Sequence, residues 1–172
     1  MRDELVQLAQ RTLDACLARE LKIATAESCT GGLLAGALTE NAGASNVFER
    51  GFVSYSNEAK QDMLGVPAKL IAAHGAVSAE VAEAMALGAL AKSRAQIALA
   101  VTGIAGPGGG SAEKPVGLVH FALAQEERPV LLVRKHFMAP AGKAFSRVEI
   151  RRMAVLTGLH LLLDAADPQL RA

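Results

Sequence analysis

Ile97-Ala98-Leu99-Ala100-Val101 is a continuous apolar run. A run of this kind reads as a strand buried on both faces, inside a sheet that is covered above and below. That limits the chain to layered folds, and the residues around it supply the layers. From Asp3 to Glu20 the apolar Leu5, Leu8, Ala9, Leu13, Cys16 and Leu17 return at three- and four-residue steps, the spacing of an amphipathic helix. Lys22 to Ala26 reads as a short strand and Leu33 to about Glu40 as a helix that ends in the loop Asn41 to Ser45. Phe48 to Tyr55, with Phe, Val and Tyr around Gly51, reads as a second strand.

Further along, Asn57 is expected to cap a helix over Glu58 to Leu64, with Gly65 at its stop. Pro67 opens a short helical segment that His74-Gly75 terminates. Ser78 caps another helix, which runs through Lys92 with a broad apolar face. Val116 to Ala124 and Val130 to Phe137 are strands whose short polar connection predicts a hairpin. A last helix is expected from about Lys143 to Asp164, with Val148, Met153, Leu156, Leu159 and Leu163 inward and Pro168 onward fraying. The order predicts an α/β fold, a three-layer-like sandwich with a mixed sheet flanked by helices. With 172 residues and no dividing linker, residues 1–172 are expected to be one domain.

The chain has five Phe, one Tyr and no Trp, so its core must be built from Ala, Leu and Val. A net charge of +1, with basic and acidic residues interspersed, argues against a nucleic-acid or anionic-membrane surface. The charged start Met1-Arg2-Asp3-Glu4 and the lack of an apolar run of ~18 residues predict no export and no membrane span, hence a cytoplasmic protein. Cys16 and Cys29 do not make a disulfide framework. His74, His120, His136 and His160 are scattered, so neither a metal site nor a cofactor is expected.

Chemistry concentrates at Thr25-Ala26-Glu27-Ser28-Cys29-Thr30-Gly31-Gly32, where a strand hands over to a helix. A helix N-terminus leaves its first N–H groups without intrahelical partners, and the glycines allow close approach to them. A nucleophile at Ser28 or Cys29 lies beside those donors. A plainer reading has Thr30 or Ser28 as a helix cap and the glycines only making the turn. Ser28 needs a base to take its proton, and none of the histidines is well placed. Lys60 is the candidate, because burial or nearby positive charge can lower a lysine's pKa and the positive end of its own helix pushes that way; its plainer reading is a solvated helix lysine. Tyr55, at the end of the preceding strand, is placed to hold or relay the proton. The loop Thr102-Gly103-Ile104-Ala105-Gly106-Pro107-Gly108-Gly109-Gly110-Ser111 also begins where a strand ends, and it lacks the lysine of a phosphate-binding P-loop. Arg147 and Arg151, four apart on one helix face, could clamp a phosphate.

The octapeptide above resembles the nicotinamide-nucleotide amidase family, also met as the C-terminal domain of the competence/damage-inducible CinA proteins. The same likeness holds for Phe48 to Lys60, for His74-Gly75-Ala76-Val77-Ser78 and for Val101 to Gly109, and it runs from about Leu5 to Leu163. It is the stand-alone form that the chain is similar to. The resemblance implies hydrolysis of the carboxamide of nicotinamide mononucleotide to nicotinic acid mononucleotide and ammonia, a recycling step in pyridine-nucleotide metabolism, by a serine amidase without metal. It implies Ser28 as nucleophile, Lys60 as base and Tyr55 as its helper, with oxyanion donors among the amides of Thr30 to Gly32. The substrate-binding set it implies is Glu27, Thr30, Gly31, Gly32, Asn57, Thr102, Gly103, Gly106, Gly108, Gly109, Arg147 and Arg151. The family's Gly-Asp-Arg turn before the last helix is absent here, and the two arginines match by their four-residue step. The partner expected is a small-molecule nucleotide, with neither nucleic acid nor membrane, and a homo-oligomer is the expected assembly. Two alternatives stand beside this reading: a nucleotide-binding or regulatory module without turnover, and a thiol hydrolase that uses Cys29.

Overall fold

The computed structural model describes residues 2–139 and 145–167, with side chains from Glu4 onward. One sheet holds five strands, β1 (Ile23–Glu27), β2 (Phe48–Val53), β3 (Ile97–Gly103), β4 (Leu118–Gln125) and β5 (Leu131–His136), in the order β2-β1-β3-β4-β5. β1 runs parallel to β2 and β3, whereas β4 is antiparallel to β3 and to β5. The helices are α1 (Arg2–Leu17), α2 (Leu33–Thr39), α3 (Asn57–Leu64), α4 (Ala68–His74), α5 (Ala79–Ala91) and α6 (Arg147–Ala166). α1, α2 and α6 pack together over one face of the sheet; α5 covers the other, with α3 and α4 against it. The mixed-sheet α/β sandwich read from the sequence is the fold.

Alternation along the central strands explains why two helical layers fit. Ile23, Ile97, Leu99, Val101, Phe121 and Leu123 face α1, α2 and α6 and form a core of large side chains. Their neighbours Ala24, Ala26, Ala98, Ala100, Ala122 and Ala124 face α5. A sheet face made of alanines lets a helix lie close against it. On that side α5 also approaches α3 tightly: a β-carbon on Gly88 would sit 2.0 Å from the Leu64 carbonyl oxygen.

Two local expectations are corrected. The cap of α3 is Ser56, in extended backbone, whose Oγ accepts from the Ala59 N–H at 3.0 Å; Asn57 is the first helical residue. α6 starts at Arg147 behind a Ser146–Glu149 capping box, and buries Ile150, Ala154, Val155, Leu159, Leu162 and Leu163. Val148 shares a stripe with Val155 but borders an open groove with Leu5, Val6 and Leu33, and remains 74% exposed; Met153 is also exposed. The expected helix start at Lys143 and the fraying from Pro168 fall outside the described residues. No described helix is long and apolar enough to cross a membrane.

Candidate active site

The chain leaves β1 for β2 on one side and later places β3 on the other, so the loops that follow β1 and β3 diverge. Such a switch point opens a crevice outside the carboxyl ends of the strands, and ligands collect there in open α/β sheets. Ser28 follows β1 directly, and its N–H donates to the Val101 carbonyl of β3 at 2.9 Å. Thr25 and Glu27 point with Ile23 toward the α2 side, and Ala24 and Ala26 toward α5. Ser28 continues the second set, on the side where α3 brings in Lys60.

Lys60 is buried to 1% exposure, and as an ammonium its Nζ donates to Ser28 Oγ at 3.1 Å, to the Ser54 carbonyl at 2.9 Å and to the Tyr55 carbonyl at 3.2 Å. Carbonyls only accept. A neutral amine has two N–H bonds and one lone pair, so the two carbonyls take both N–H bonds and leave the lone pair on Ser28 Oγ, the one partner with a proton to give. Burial holds the Lys60 pKa below the ordinary lysine value of 10.5. No carboxylate is ion-paired with Lys60 among the described residues.

The turn after Ser28 is held from both sides. Glu27 is fully buried, and its carboxylate accepts from the amides of Gly32 at 3.0 Å, Leu34 at 3.0 Å and Ala35 at 2.8 Å, and from Thr25 Oγ1 at 3.3 Å. It caps α2 from the strand side and offsets the positive end of the helix. This corrects two expectations: Glu27 faces the helix and not the cavity, and neither Ser28 nor Thr30 caps α2, whose N-cap is Gly32 at φ 92°. It also narrows the oxyanion donors. Gly32 N–H belongs to Glu27 and Gly31 N–H donates to the Ser28 carbonyl at 3.0 Å. The amides of Cys29 and Thr30 both face the Cys29 sulfur, and of these two residues it is Cys29 that lines the cavity.

A cavity of about 280 Å³ opens over Ser28 and Lys60. Cys29, Tyr55, Thr102, Gly103, Gly106, Gly108, Gly109 and Arg147 line it, together with Ala76 and Val77 from the loop before α5. That loop is tied to β3 by Thr102 Oγ1, which donates to the Ala76 carbonyl at 2.8 Å. Gly103 has to be glycine, because a β-carbon there would lie 2.8 Å from the Leu118 carbonyl oxygen. Arg147 reaches across the mouth, donating to the Gly106 carbonyl at 2.7 Å and to the Tyr55 hydroxyl at 3.0 Å. The Tyr55 phenol therefore engages Arg147; it is the Tyr55 backbone carbonyl that meets Lys60. The helix-face pair of arginines also separates, since Arg151 donates from Nε to the Cys29 carbonyl at 3.1 Å and from Nη2 to the Thr30 carbonyl at 2.9 Å. Thr30, Gly31, Gly32, Asn57, Glu27 and Arg151 do not line the cavity, and Gly32 borders the groove beside Val148 instead. Sequence reasoning missed Ala76 and Val77, whose small apolar side chains carry no chemical signature. It also missed the holding role of Glu27, which a charge at the end of an otherwise uncharged strand could have signalled.

Cys29 is a poor rival nucleophile. It is 5% exposed, and burial pushes its thiol pKa up to about 12.

A buried serine–lysine pair at the carboxyl edge of a mixed α/β sheet, under a glycine-rich loop, has the chemistry that an amide- or ester-cleaving site requires. Residues 5–166 match the CinA C-terminal domain, and the chain belongs to that family. It is 47% identical over 159 residues to the nicotinamide-nucleotide amidohydrolase PncC of Escherichia coli, covering 92% of this chain and 93% of that one. It is 52% identical over 143 residues to a CinA-like protein of Mycolicibacterium gilvum, covering 83% of this chain and 32% of the relative, and it spans about a quarter to a third of such longer relatives. Among solved structures, the competence/damage inducible protein CihA of Agrobacterium tumefaciens superposes with a TM-score of 0.89 at 51% identity, covering 95% of this chain and 96% of that one. The competence damage-inducible protein A of Klebsiella pneumoniae gives 0.86 at 36% identity, with coverage of 93% and 95%.

Proposed function

We propose that the chain is a nicotinamide-nucleotide amidohydrolase that converts nicotinamide mononucleotide to nicotinic acid mononucleotide and ammonia, a step of pyridine-nucleotide recycling. The observation that carries the reading is the 3.1 Å contact between Lys60 Nζ and Ser28 Oγ, inside a cavity that also presents a cation at Arg147. The full-length likeness to the Escherichia coli amidohydrolase supports the choice of substrate.

Neutral Lys60 takes the Ser28 proton as Ser28 Oγ attacks the carboxamide carbon. The carbonyl oxygen becomes an oxyanion beside the Cys29 amide, a class of contact worth ~3 kcal/mol per donor. Collapse of this intermediate breaks the C–N bond, and the Lys60 ammonium returns its proton to the leaving nitrogen, so ammonia departs neutral. Water then attacks the acyl–Ser28 ester while Lys60 takes its proton, and the acid leaves as Ser28 recovers its hydrogen. Arg147 is the phosphate ligand in this reading, with the amides of the Thr102–Gly109 loop beside it. Tyr55 holds Arg147 in place.

The test is ammonia release from nicotinamide mononucleotide by wild type and Ser28→Ala, measured side by side. Turnover by wild type alone is expected. Tight nucleotide binding with no ammonia from either protein would turn the reading to a nucleotide-binding module, which the presence of this domain within longer relatives keeps in view. A homo-oligomer in the cytoplasm goes with the proposal, and sedimentation velocity measures the assembly.

A further inference from the structure

We propose that Lys114 is a positioning residue that fixes the Ala76–Val77 wall of the cavity, against which the substrate ring is held; this rests on the amide-hydrolysis reading of the site. Ala76 and Val77 line the cavity over Ser28 from the loop before α5. Val77 also borders a second hollow, of about 350 Å³, together with Lys114, His120 and Arg134. It is thus a partition with open space on both faces. A side chain in that place lacks the contacts that would fix it by packing alone.

Hydrogen bonds hold it instead. The carbonyls of His74, Gly75 and Ala76, which lead into the wall, are each taken by a side chain from a different part of the chain. Lys114 Nζ donates to the His74 carbonyl, Ser78 Oγ, from the start of α5, to the Gly75 carbonyl at 3.0 Å, and Thr102 Oγ1, from β3, to the Ala76 carbonyl at 2.8 Å. A β-carbon on Gly75 would lie 2.9 Å from Lys114 Nζ, so the ammonium rests directly over the backbone it holds. It also meets the carboxyl end of α4, where the last carbonyls of a helix favour a cation. The turn that presents Lys114 is itself closed. Ser111 N–H donates to the Lys114 carbonyl at 2.9 Å, and Lys114 N–H returns to Ser111 Oγ at 3.0 Å. At the base of the same loop, Ile104 N–H donates to the Leu118 carbonyl and Gly117 N–H to the Ile104 carbonyl, both at 2.8 Å. Gly106, Gly108 and Gly109 of this loop line the cavity. Lys114 therefore couples the glycine-rich loop to the apolar wall from outside the cavity. The Ser28–Lys60 pair is held by other bonds, from Lys60 to the Ser54 and Tyr55 carbonyls, so loss of the Lys114 tie should loosen the substrate and spare the pair.

The test measures binding and turnover separately. The dissociation constant of nicotinamide mononucleotide is taken by calorimetry in Ser28→Ala, where nothing turns over, alone and combined with Lys114→Met, with Val77→Ala and with both. KM, kcat and the pH profile are taken for Lys114→Met and Lys114→Arg with Ser28 intact. Lys114→Met is expected to weaken binding and raise KM by roughly tenfold, with kcat within a few-fold of wild type and the midpoint of the pH profile unmoved. Lys114→Arg, which keeps a cation of similar reach, should restore most of the loss. On top of Val77→Ala, Lys114→Met should cost little more, because two changes that act through one wall are not additive. Additive losses, an unchanged dissociation constant or a shifted pH midpoint would overturn the proposal. Failure of Lys114→Met to fold would assign Lys114 to structure alone. If wild type releases no ammonia the amidase reading fails by itself, and the dissociation constants still decide whether Lys114 acts through the wall.

Discussion

Lys60 Nζ lies 3.1 Å from Ser28 Oγ, with its two other hydrogen-bonding directions filled by the carbonyls of Ser54 and Tyr55. The lone pair of the neutral amine has one place to point. Activity should therefore follow deprotonation of Lys60: kcat/KM rises with pH and levels off with an apparent pKa below 10.5, since burial disfavours the ammonium. Lys60→Met should lower kcat by roughly 10²- to 10⁴-fold and remove that limb.

The same shift has a signature in stability. Unfolded Lys60 keeps its proton up to about 10.5, whereas folded Lys60 releases it at lower pH. Between those two values the unfolded chain binds more protons, so stability rises with pH across that window. The burial cost is felt in full below the folded pKa. Lys60→Met should be the more stable protein near neutrality and should lack the rise, as chemical denaturation at several pH values would show.

Cys29 sits next to Ser28, the nucleophile of the proposed mechanism, and is not expected to share that role. With a pKa of about 12, its thiolate fraction at pH 8 is roughly one in 10⁴. Iodoacetamide should label Cys29 slowly, and Cys29→Ala should keep ammonia release within a few-fold of wild type. Rapid inactivation on labelling, with Ser28→Ala still active, would transfer the nucleophile to the thiol.

Arg147 is the arginine that borders the cavity among the described residues. Charge-assisted contacts of this kind are worth about 1.5–3 kcal/mol, so Arg147→Met should raise KM for the mononucleotide by roughly ten- to a hundredfold. The riboside, which lacks the phosphate, should lose little. Equal losses on both substrates would remove Arg147 from phosphate recognition.

Two glycines separate packing from propensity. A β-carbon at Gly88 would lie 2.0 Å from the Leu64 carbonyl oxygen, whereas one at Gly36, inside α2, meets nothing within 4 Å. Gly88→Ala should lose about 1–3 kcal/mol through forced separation of α3 and α5. Gly36→Ala should gain about 0.5–1 kcal/mol from lower backbone entropy in the unfolded chain. Thermal unfolding reads both.

The fold was legible where burial is periodic. Ile97–Val101 announced a strand covered on both sides, and the alternation of large residues with alanine divides the two helical layers. That Ser28 and Lys60 belong together was legible, because a hydroxyl at a glycine-rich strand–helix turn calls for a base and a lysine in the first turn of a helix can be one. What opposes each side chain was not. Helical spacing places Arg147 and Arg151 on one face, but only the packing of α6 shows one meeting Gly106 and Tyr55 and the other the carbonyls of Cys29 and Thr30. Glu27 reads as a ligand residue until its oxygens are seen to be occupied by amides up to eight residues away. Val148 follows the same stripe as Val155 and is nonetheless exposed, because periodicity does not say where the covering layer ends.

The most direct test of the account is a rapid acid quench of wild type turning over nicotinamide mononucleotide, followed by peptide mass mapping. The account predicts an acyl adduct, the substrate minus ammonia, on Ser28, absent in Ser28→Ala and accumulating more slowly in Lys60→Met. An adduct on Cys29, or steady ammonia release by Ser28→Ala, would contradict it.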